Sequence, residues 1–228
     1  MRFKAIFMDN DGTLMDFEAG MHNAICEVCA RLNIDDTEAP AVYGRINDQC
    51  WKDFEKGLLT QPQLKRKRFQ EFLEYYGHSA SPDEISKEYE NLLARQSILL
   101  PGAVEEVRKI AACLPVVILT NGISHVQHSR IGSSPLAPYL SGLLISTEVG
   151  APKPHPDMFM KALEMLGGLQ PCEALMIGDS LTSDIQGAIN SGIPACWYNP
   201  NHKPRPENMK IDFEIDCMEQ MSEIALMD

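Results

Sequence analysis

The sequence predicts an α/β protein in which an all-helical insertion follows the first strand of a parallel sheet. Residues 3–8 form a short apolar run, long enough for one buried strand and too short for a helix. Residues 16–97 show only helical periodicity, without a convincing strand pattern. From residue 98 onward, helical patterns alternate with short apolar runs, which is typical of βαβ units.

Four amphipathic helices are predicted in the insertion. Apolar residues recur at helical spacing from Met21 to Leu32, and again from Val42 to Phe54. Thr60 and Gln63 give the capping-box signature of a third helix, and Ser81 followed by proline starts a fourth. We therefore expect residues 16–97 to form a helical domain inserted into a core made of residues 1–15 and 98–228.

The core is predicted to contain five strands with helices between them. The strands are expected at residues 3–8, 116–119, 143–145, 174–177 and 194–198. The helices are expected at residues 104–113, 124–131, 157–166, 183–191 and 218–227, and residues 199–208 read as a loop. Strands that alternate with helices in this way predict a Rossmann-like parallel sheet.

Composition limits the possible partners. The net charge of −12 argues against binding a nucleic acid polymer, because phosphate backbones are bound by Lys and Arg. A small phosphorylated metabolite remains possible, since one metal ion and one lysine could hold it. No apolar run approaches the ~18 residues of a membrane span, and the first strand leaves no room for a signal peptide. Seven scattered cysteines suit reduced thiols, so we expect a cytoplasmic protein. We also expect a monomer or weak dimer that does not bind membranes.

Polar residues follow each strong strand of the predicted core. They are Asp9 and Asp11, then Thr120-Asn121-Gly122, then Lys153 between two prolines, then Gly178-Asp179-Ser180 with Asp184. In a parallel sheet the carboxyl ends of the strands lie along one edge, where ligands bind. We therefore expect these side chains to form one site.

Such a set of carboxylates, with one lysine and one threonine, suits phosphoryl transfer. An aspartate can attack phosphorus and form an aspartyl-phosphate, which divides the displacement into two easier steps. Carboxylate oxygens can hold Mg²⁺, while lysine and a threonine hydroxyl stabilise charge on the phosphoryl oxygens. A second aspartate can protonate the leaving oxygen and then activate water.

On these motifs the sequence resembles the haloacid dehalogenase-like superfamily of aspartate-nucleophile phosphatases, over nearly its whole length. The resemblance implies that Asp9 is the nucleophile and Asp11 the general acid and base. It implies the phosphate-binding residues Thr120, Asn121 and Lys153, with Lys153 also orienting Asp9. It implies Mg²⁺ ligands from the Asp9 carboxylate, the Asp11 main-chain carbonyl and Asp179, with Asp184 either binding the ion or lying directly behind its ligands. The helical insertion resembles the cap that closes over the site and selects substrates in this superfamily.

Within the superfamily, the chain looks most like the house-cleaning pyrimidine 5′-nucleotidases. The resembling stretches are residues 51–57, 68–69, 100–103, 178–185 and 195–199. The chain departs from them at Gly12, where glutamate is more common, and around residues 150–152. We therefore expect a Mg²⁺-dependent phosphomonoester hydrolase that acts on nucleoside 5′-monophosphates.

Other readings stay open at this point. Phosphatases of sugar phosphates and sugar acid phosphates, such as acylneuraminate 9-phosphate or phosphoglycolate, share much of the pattern. A second aspartate at Asp11 argues against a dehalogenase, which displaces halide and needs no acid for its leaving group. Thr13, where related phosphomutases usually have valine, favours hydrolysis over mutase chemistry. A non-catalytic regulatory relative is disfavoured because every catalytic position holds a competent residue type.

Three polar residues of the insertion, Arg45, Asn47 and Arg68, are candidate substrate contacts. Polar side chains on an amphipathic helix more often face water. We therefore expect all three of them to be solvated.

Overall fold

A computed structural model describes all 228 residues, and they form two compact units. One unit comprises Met1–Asp16 and Leu99–Asp228, and we call it the core unit. The other comprises Phe17–Ile98, and we call it the helical unit.

The core unit contains a single six-stranded sheet in which every pair of neighbouring strands is parallel. The strands are β1 Ala5–Met8, β2 Val116–Thr120, β3 Gly142–Ile145, β4 Ala174–Gly178, β5 Ala195–Tyr198 and β6 Phe213–Ile215. Their order across the sheet is β3-β2-β1-β4-β5-β6. The predicted α/β class with a Rossmann-like parallel sheet is confirmed, and β6 is an additional strand that is not predicted from the sequence.

The strand order places a change of direction at the centre of the sheet. The chain builds outward from β1 through β2 to β3, then returns to the other side of β1 with β4. In doubly wound sheets the crevice at such a switch point, outside the carboxyl ends of the strands, is where ligands bind. The ends of β1 and β4 flank this crevice.

Helices cover both faces of the sheet. They are α5 Ala103–Ala111, α6 Ser124–Gly132, α7 Ser146–Val149, α8 Pro156–Met165, α9 Gln186–Ser191 and α10 Gln220–Ala225. Alternate strand residues point to opposite faces. Ile6 and Ile118 pack with the apolar residues of α5 and α10, while Phe7 and Val117 pack with those of α8 and α9. Both faces of the central strands are therefore buried, which explains why these strands read as continuous apolar runs.

One predicted helix begins differently from the expectation. The segment predicted as a helix over residues 183–191 starts with a π-helical turn, Leu181–Ile185, which leads into α9. The main-chain N–H groups of Asp184 and Ile185 both donate to the carbonyl of Ser180, at 3.0 and 3.1 Å. The wider turn places Asp184 directly behind the end of β4.

The helical unit is a bundle of four helices. They are α1 Phe17–Leu32, α2 Ala39–Glu55, α3 Gln61–Tyr75 and α4 Pro82–Leu93. Each helix packs against two neighbours, in the order α1, α2, α3, α4 and back to α1. The Thr60–Gln63 capping box at the start of α3 is present as predicted. Four aromatic rings, those of Tyr43, Phe69, Phe72 and Tyr89, meet inside the bundle.

No helix of the chain is both long enough and apolar enough to cross a membrane. All seven cysteines are free, and three of them are buried.

Candidate active site

The first strand carries Asp9 to the carboxyl edge of the sheet. All four residues of β1 are buried, and the main-chain N–H of Asp9 donates to the carbonyl of Ile177 at 3.0 Å. Pairing with β4 therefore continues through Asp9, whose position is fixed by the sheet itself. Only 7% of the residue is exposed.

Lys153, in the loop between α7 and α8, points into the interior beneath Asp9. Its Nζ donates to Asp9 Oδ1 at 2.5 Å, to Asp184 Oδ1 at 2.6 Å and to the carbonyl of Leu119 at 2.7 Å. All three N–H groups of the ammonium therefore have acceptors. Lys153 is 1% exposed, so this cation depends entirely on these partners.

The end of β2 positions the loop that carries Lys153. Asn121 Nδ2 donates to the main-chain carbonyl of Lys153 and Asn121 Oδ1 accepts from its N–H, both at 2.8 Å. Thr120, the last residue of β2, is 2% exposed, and its Oγ1 accepts from the N–H of Gly122 at 3.0 Å. That bond uses the hydroxyl oxygen as an acceptor and leaves the O–H as a donor.

The end of β4 supplies two further carboxylates. Thr13 Oγ1 donates to Asp179 Oδ1 at 3.0 Å and accepts from the N–H of Asp179 at 3.1 Å. Asp184 is fully buried, and its Oδ2 accepts from the N–H of Ser180 at 3.0 Å while its Oδ1 accepts from Lys153. The hydrogen bonds between Thr13 and Asp179 therefore join the turn after β1 to the turn after β4.

Burial and mutual repulsion shift the ionisation of this group. Burial raises the pKa of Asp9 well above its ordinary value; the Lys153 charge lowers it, but the charges of Asp184 and Asp179 raise it further. Burial, followed by the charge of Asp184, raises the pKa of Asp179 to about 6. Burial alone would lower the pKa of Lys153, but the charges of Asp184 and Asp9 raise it above its ordinary value. The ionised forms of Asp9 and Asp179 are therefore destabilised by burial and by the neighbouring carboxylates, and a cation bound beside them would favour ionisation.

These residues fit a divalent cation. Asp9, Asp179 and Asp184 each offer a carboxylate oxygen, and these oxygens lie within 4.8 Å of one another. Three carboxylates against one ammonium leave two negative charges in excess, and hard oxygen ligands suit Mg²⁺. The main chain of the turn after β1 also lies close to these carboxylates, because a Cβ added at Gly12 would lie 2.8 Å from Asp179 Oδ2. We call Asp9, Lys153, Asp179 and Asp184 the core ion cluster.

The side chain of Asp11 lies outside the core ion cluster and contacts α6. Its Oδ1 accepts from Arg130 Nη1 at 2.5 Å, and its Oδ2 accepts from Gln127 Nε2 at 2.7 Å. Gln127 and Arg130 are not among the site residues predicted from the sequence. A signal was present, because both lie on the buried face of α6 with Val126 and Ile131, where apolar residues are expected.

Two polar residues of the helical unit are buried, contrary to the prediction from the sequence. Asn47 and Arg68 were expected to be solvated, but each is only 1% exposed. Arg68 Nη1 donates to Asn47 Oδ1 at 3.1 Å, and the guanidinium lies over the ring of Tyr89, 5.0 Å from its centroid. Arg68 Nη2 is 3.9 Å from Glu90 Oε1, and Lys65 Nζ is 2.8 Å from Glu90 Oε2. We call Asn47, Lys65, Arg68 and Glu90 the bundle ion cluster.

Comparison with known proteins places the chain among hydrolases. The family model of haloacid dehalogenase-like hydrolases matches residues 3–192. The HAD-hydrolase YfnB of Bacillus subtilis is 31% identical over 229 residues, which cover 98% of this chain and 95% of that protein. In the structure comparison, a crystal structure of YfnB bound to magnesium gives a TM-score of 0.93 at 30% identity, over 100% of both chains.

Two nucleotidases are also similar along nearly the whole chain. The pyrimidine 5′-nucleotidase YjjG of Escherichia coli is 30% identical over 98% of this chain and 98% of its own. The pyrimidine 5′-nucleotidase PynA of Streptococcus pneumoniae is 30% identical over 96% of this chain and 97% of its own.

Proposed function

The chain belongs to the haloacid dehalogenase-like hydrolases, and from that premise we propose that it is a Mg²⁺-dependent phosphatase of nucleoside 5′-monophosphates, with a preference for pyrimidines. The observation that carries the proposal is the core ion cluster. It combines a buried carboxylate at a strand end, a lysine in direct contact with it, and further carboxylates that suit a divalent cation. The two similar pyrimidine 5′-nucleotidases support the substrate class.

The proposed first step is attack by Asp9 on phosphorus. Because Lys153 holds Oδ1 of Asp9, we assign the attack to Oδ2. A bond forms between Oδ2 and phosphorus while the bond from phosphorus to the ester oxygen breaks. Asp11 donates a proton to the departing oxygen, so that the nucleoside leaves as a neutral alcohol.

The proposed second step regenerates the enzyme. Asp11, now a carboxylate, accepts a proton from a water molecule as that water attacks the phosphorus of the aspartyl-phosphate. The bond between phosphorus and Asp9 breaks, and inorganic phosphate is released. The O–H of Thr120 and the ammonium of Lys153 stabilise the charge on the phosphoryl oxygens in both steps.

In this proposal the Asp9 carboxylate, Asp179 and the main-chain carbonyl of Asp11 hold Mg²⁺. When bound, the ion supplies positive charge that offsets repulsion between the nucleophile and the phosphate dianion. Asp184 has a different part, since both of its oxygens already accept hydrogen bonds. It orients Lys153 and adds negative charge behind the ligands. Substrate selection is assigned to the helical unit, as the family resemblance implies.

The experiment that tests the proposal is phosphate release from a panel of phosphate esters near pH 7, with Mg²⁺ or with EDTA. The panel contains UMP, dUMP, dTMP, AMP, GMP, glucose 6-phosphate, N-acetylneuraminate 9-phosphate and phosphoglycolate. We expect preference for the pyrimidine nucleotides and no turnover in EDTA. Preference for a sugar or sugar acid phosphate would overturn the substrate, and release from none of the compounds would overturn the phosphatase assignment.

Two variants test the assigned roles. Asp9→Asn should abolish turnover because the covalent step is lost, whereas Asp11→Asn should reduce it about 10²–10⁴-fold, the usual effect of removing a general acid and base. Asp35→Asn is the matched control, since Asp35 is an exposed aspartate of the helical unit. Full activity of Asp9→Asn would refute the covalent mechanism.

A further inference from the structure

We propose that Gln127 and Arg130 are positioning residues that hold the Asp11 carboxylate in the orientation needed for proton transfer. This inference rests on the proposed function and extends it to two residues on α6 that lie outside the motifs at the strand ends. The two residues are three positions apart, so they lie on the same face of the helix. That face is turned toward the turn that follows β1.

The first observation is the burial of Arg130. The residue is 0% exposed, although a buried guanidinium is costly unless it is paired. Its Nη1 donates to Asp11 Oδ1 at 2.5 Å, whereas the Asp11 side chain is 23% exposed. The cation therefore lies on the inner side of the carboxylate, and the carboxylate keeps an outer side open to solvent and substrate.

The second observation is the fixed orientation of the Gln127 amide. Asn10 Nδ2 donates to Gln127 Oε1 at 2.7 Å, which turns the Gln127 NH₂ group toward Asp11. Gln127 Nε2 then donates to Asp11 Oδ2 at 2.7 Å. Each carboxylate oxygen of Asp11 is held by a different side chain, so both of its side-chain torsions are fixed.

The third observation links this arrangement to the end of β2. A Cβ added at Gly122 would lie 2.8 Å from both Cγ and Cδ of Gln127. The glycine that follows Thr120-Asn121 therefore leaves space for Gln127 to reach across to Asp11. Gln127 is 2% exposed, so its side chain has little room to move aside.

The main chain around Asp11 is already rigid. The N–H groups of Leu14 and Met15 both donate to the carbonyl of Asn10, at 2.9 and 2.8 Å, and the N–H of Gly12 donates to the carbonyl of Met15 at 2.9 Å. The side-chain torsions of Asp11 are therefore the conformational freedom that the main-chain hydrogen bonds of this turn leave open. A general acid acts only within hydrogen-bond reach of the leaving oxygen, so fixing this side chain raises the fraction of productive encounters.

The test compares two aryl phosphates that differ in their need for an acid. Phenolate leaves poorly without a proton, whereas p-nitrophenolate leaves readily without one. Rapid-quench measurement with enzyme in excess gives the rate of the first transfer from phenyl phosphate and from p-nitrophenyl phosphate. For Gln127→Met and Arg130→Met we expect a loss of about 10- to 100-fold with phenyl phosphate and less than about threefold with p-nitrophenyl phosphate, because only the first needs the acid. The apparent KM should change little.

The matched control is His128→Ala, an exposed residue on the same helix, which should leave both rates unchanged. A double-mutant cycle gives the second readout. If Arg130 acts through Asp11, Arg130→Met should cause no further loss with phenyl phosphate in an Asp11→Asn background. Equal losses with both esters, or full additivity in the cycle, would overturn the inference.

Two safeguards keep the outcome decisive. Thermal melting identifies a variant that fails to fold, and Gly122→Ala then replaces it, since this substitution displaces Gln127 without removing any hydrogen-bonding group. Wild-type protein that releases neither phenol would refute the proposed phosphatase function itself. Wild-type turnover with no difference between the esters in the variants would refute only the positioning role.

Discussion

The two buried cations of this protein, Lys153 in the core unit and Arg68 in the helical unit, are accommodated in opposite ways. Lys153 has an acceptor for each of its three N–H groups, and two of these acceptors are carboxylates. Arg68 makes one hydrogen bond, to Asn47, and has a carboxylate oxygen only 3.9 Å away. Its Nε and Nη2 have no hydrogen-bond partner in the protein.

The charge balance of the two clusters also differs. The core ion cluster sets three carboxylates against one ammonium, and burial, together with the charges of neighbouring carboxylates, raises the pKa values of Asp9 and Asp179. In the bundle ion cluster two cations face Glu90, and the aromatic ring of Tyr89 covers the guanidinium of Arg68. Cation–π contact stabilises a positive charge without binding anything further. The comparison indicates that the core ion cluster is arranged to accept a cation, whereas the bundle ion cluster already has two cations beside its single carboxylate.

The largest expected effect is that of Lys153→Met on stability. Removal of the ammonium leaves Asp9 and Asp184 buried and facing each other, so we expect a loss of about 3–5 kcal/mol in the free energy of unfolding. Urea denaturation in EDTA measures it. The control is Lys161→Met, because Lys161 is exposed and paired with Glu164, and it should change stability by no more than about 0.5 kcal/mol. A loss below about 1 kcal/mol for Lys153→Met would contradict the dependence of the cluster on this cation.

Most of the core fold could be predicted because its strands are short apolar runs buried on both faces. The sixth strand, Phe213–Ile215, has three residues with only Ile215 buried, so it carries no periodic signal. The π-helical turn before α9 was also missed. It is defined by the hydrogen bond from the Ile185 N–H to the Ser180 carbonyl, and hydrophobic spacing does not record such a bond.

The polar residues at the strand ends could be predicted to meet because a parallel sheet brings those ends to one edge. The structure brings together Asp9, Lys153, Asp179 and Asp184 in this way. The contacts of Gln127 and Arg130 with Asp11 could not be predicted in this way, because they depend on which face of α6 is buried.

The burial of Arg68 was also difficult to predict from the sequence. It ends the basic run Lys65-Arg66-Lys67-Arg68, whose members look alike in sequence. Only Arg68 lies four residues from both Leu64 and Phe72, on the buried face of α3. The helical spacing of Leu64, Arg68 and Phe72 indicates that Arg68 is buried, but the general expectation that cations face water favours a solvated side chain.

The second prediction concerns the excess negative charge of the core ion cluster. A ligand that binds only the folded state stabilises it, so Mg²⁺ at about 100 times its dissociation constant should add about 2.7 kcal/mol to the free energy of unfolding. Asp179→Asn should remove most of this increment, although the amide oxygen can still accept from Thr13. In EDTA the same variant should be at least as stable as the wild type, since repulsion with Asp184 is relieved. Urea titrations with Mg²⁺ and with EDTA measure both quantities; an undiminished Mg²⁺ increment would exclude Asp179 as a ligand.

The third prediction tests whether the bundle ion cluster tolerates the loss of the Arg68 guanidinium. Arg68→Met should cost about 1–2 kcal/mol, less than Lys153→Met, because a hydrophobic side chain of similar length can fill a site lined by aromatic rings. Glu90 keeps its contact with Lys65. Arg66→Met, two residues away on an exposed face of α3, is the control. A loss as large as that of Lys153→Met would show that the two clusters are equally dependent on their cations.

The smallest effect, and the sharpest test of the comparison, is expected for Lys65. Lys65→Met alone should cost about 0.5 kcal/mol, since its ammonium is partly solvated and Arg68 still lies beside Glu90. Combined with Arg68→Met it should cost about 1 kcal/mol more than the sum of the single changes, because Glu90 is 3% exposed and then loses both cations. Urea denaturation of the four proteins in the cycle gives the coupling. Strict additivity would mean that Lys65 and Arg68 act on Glu90 independently, and the bundle ion cluster would then be a set of adjacent residues without mutual compensation.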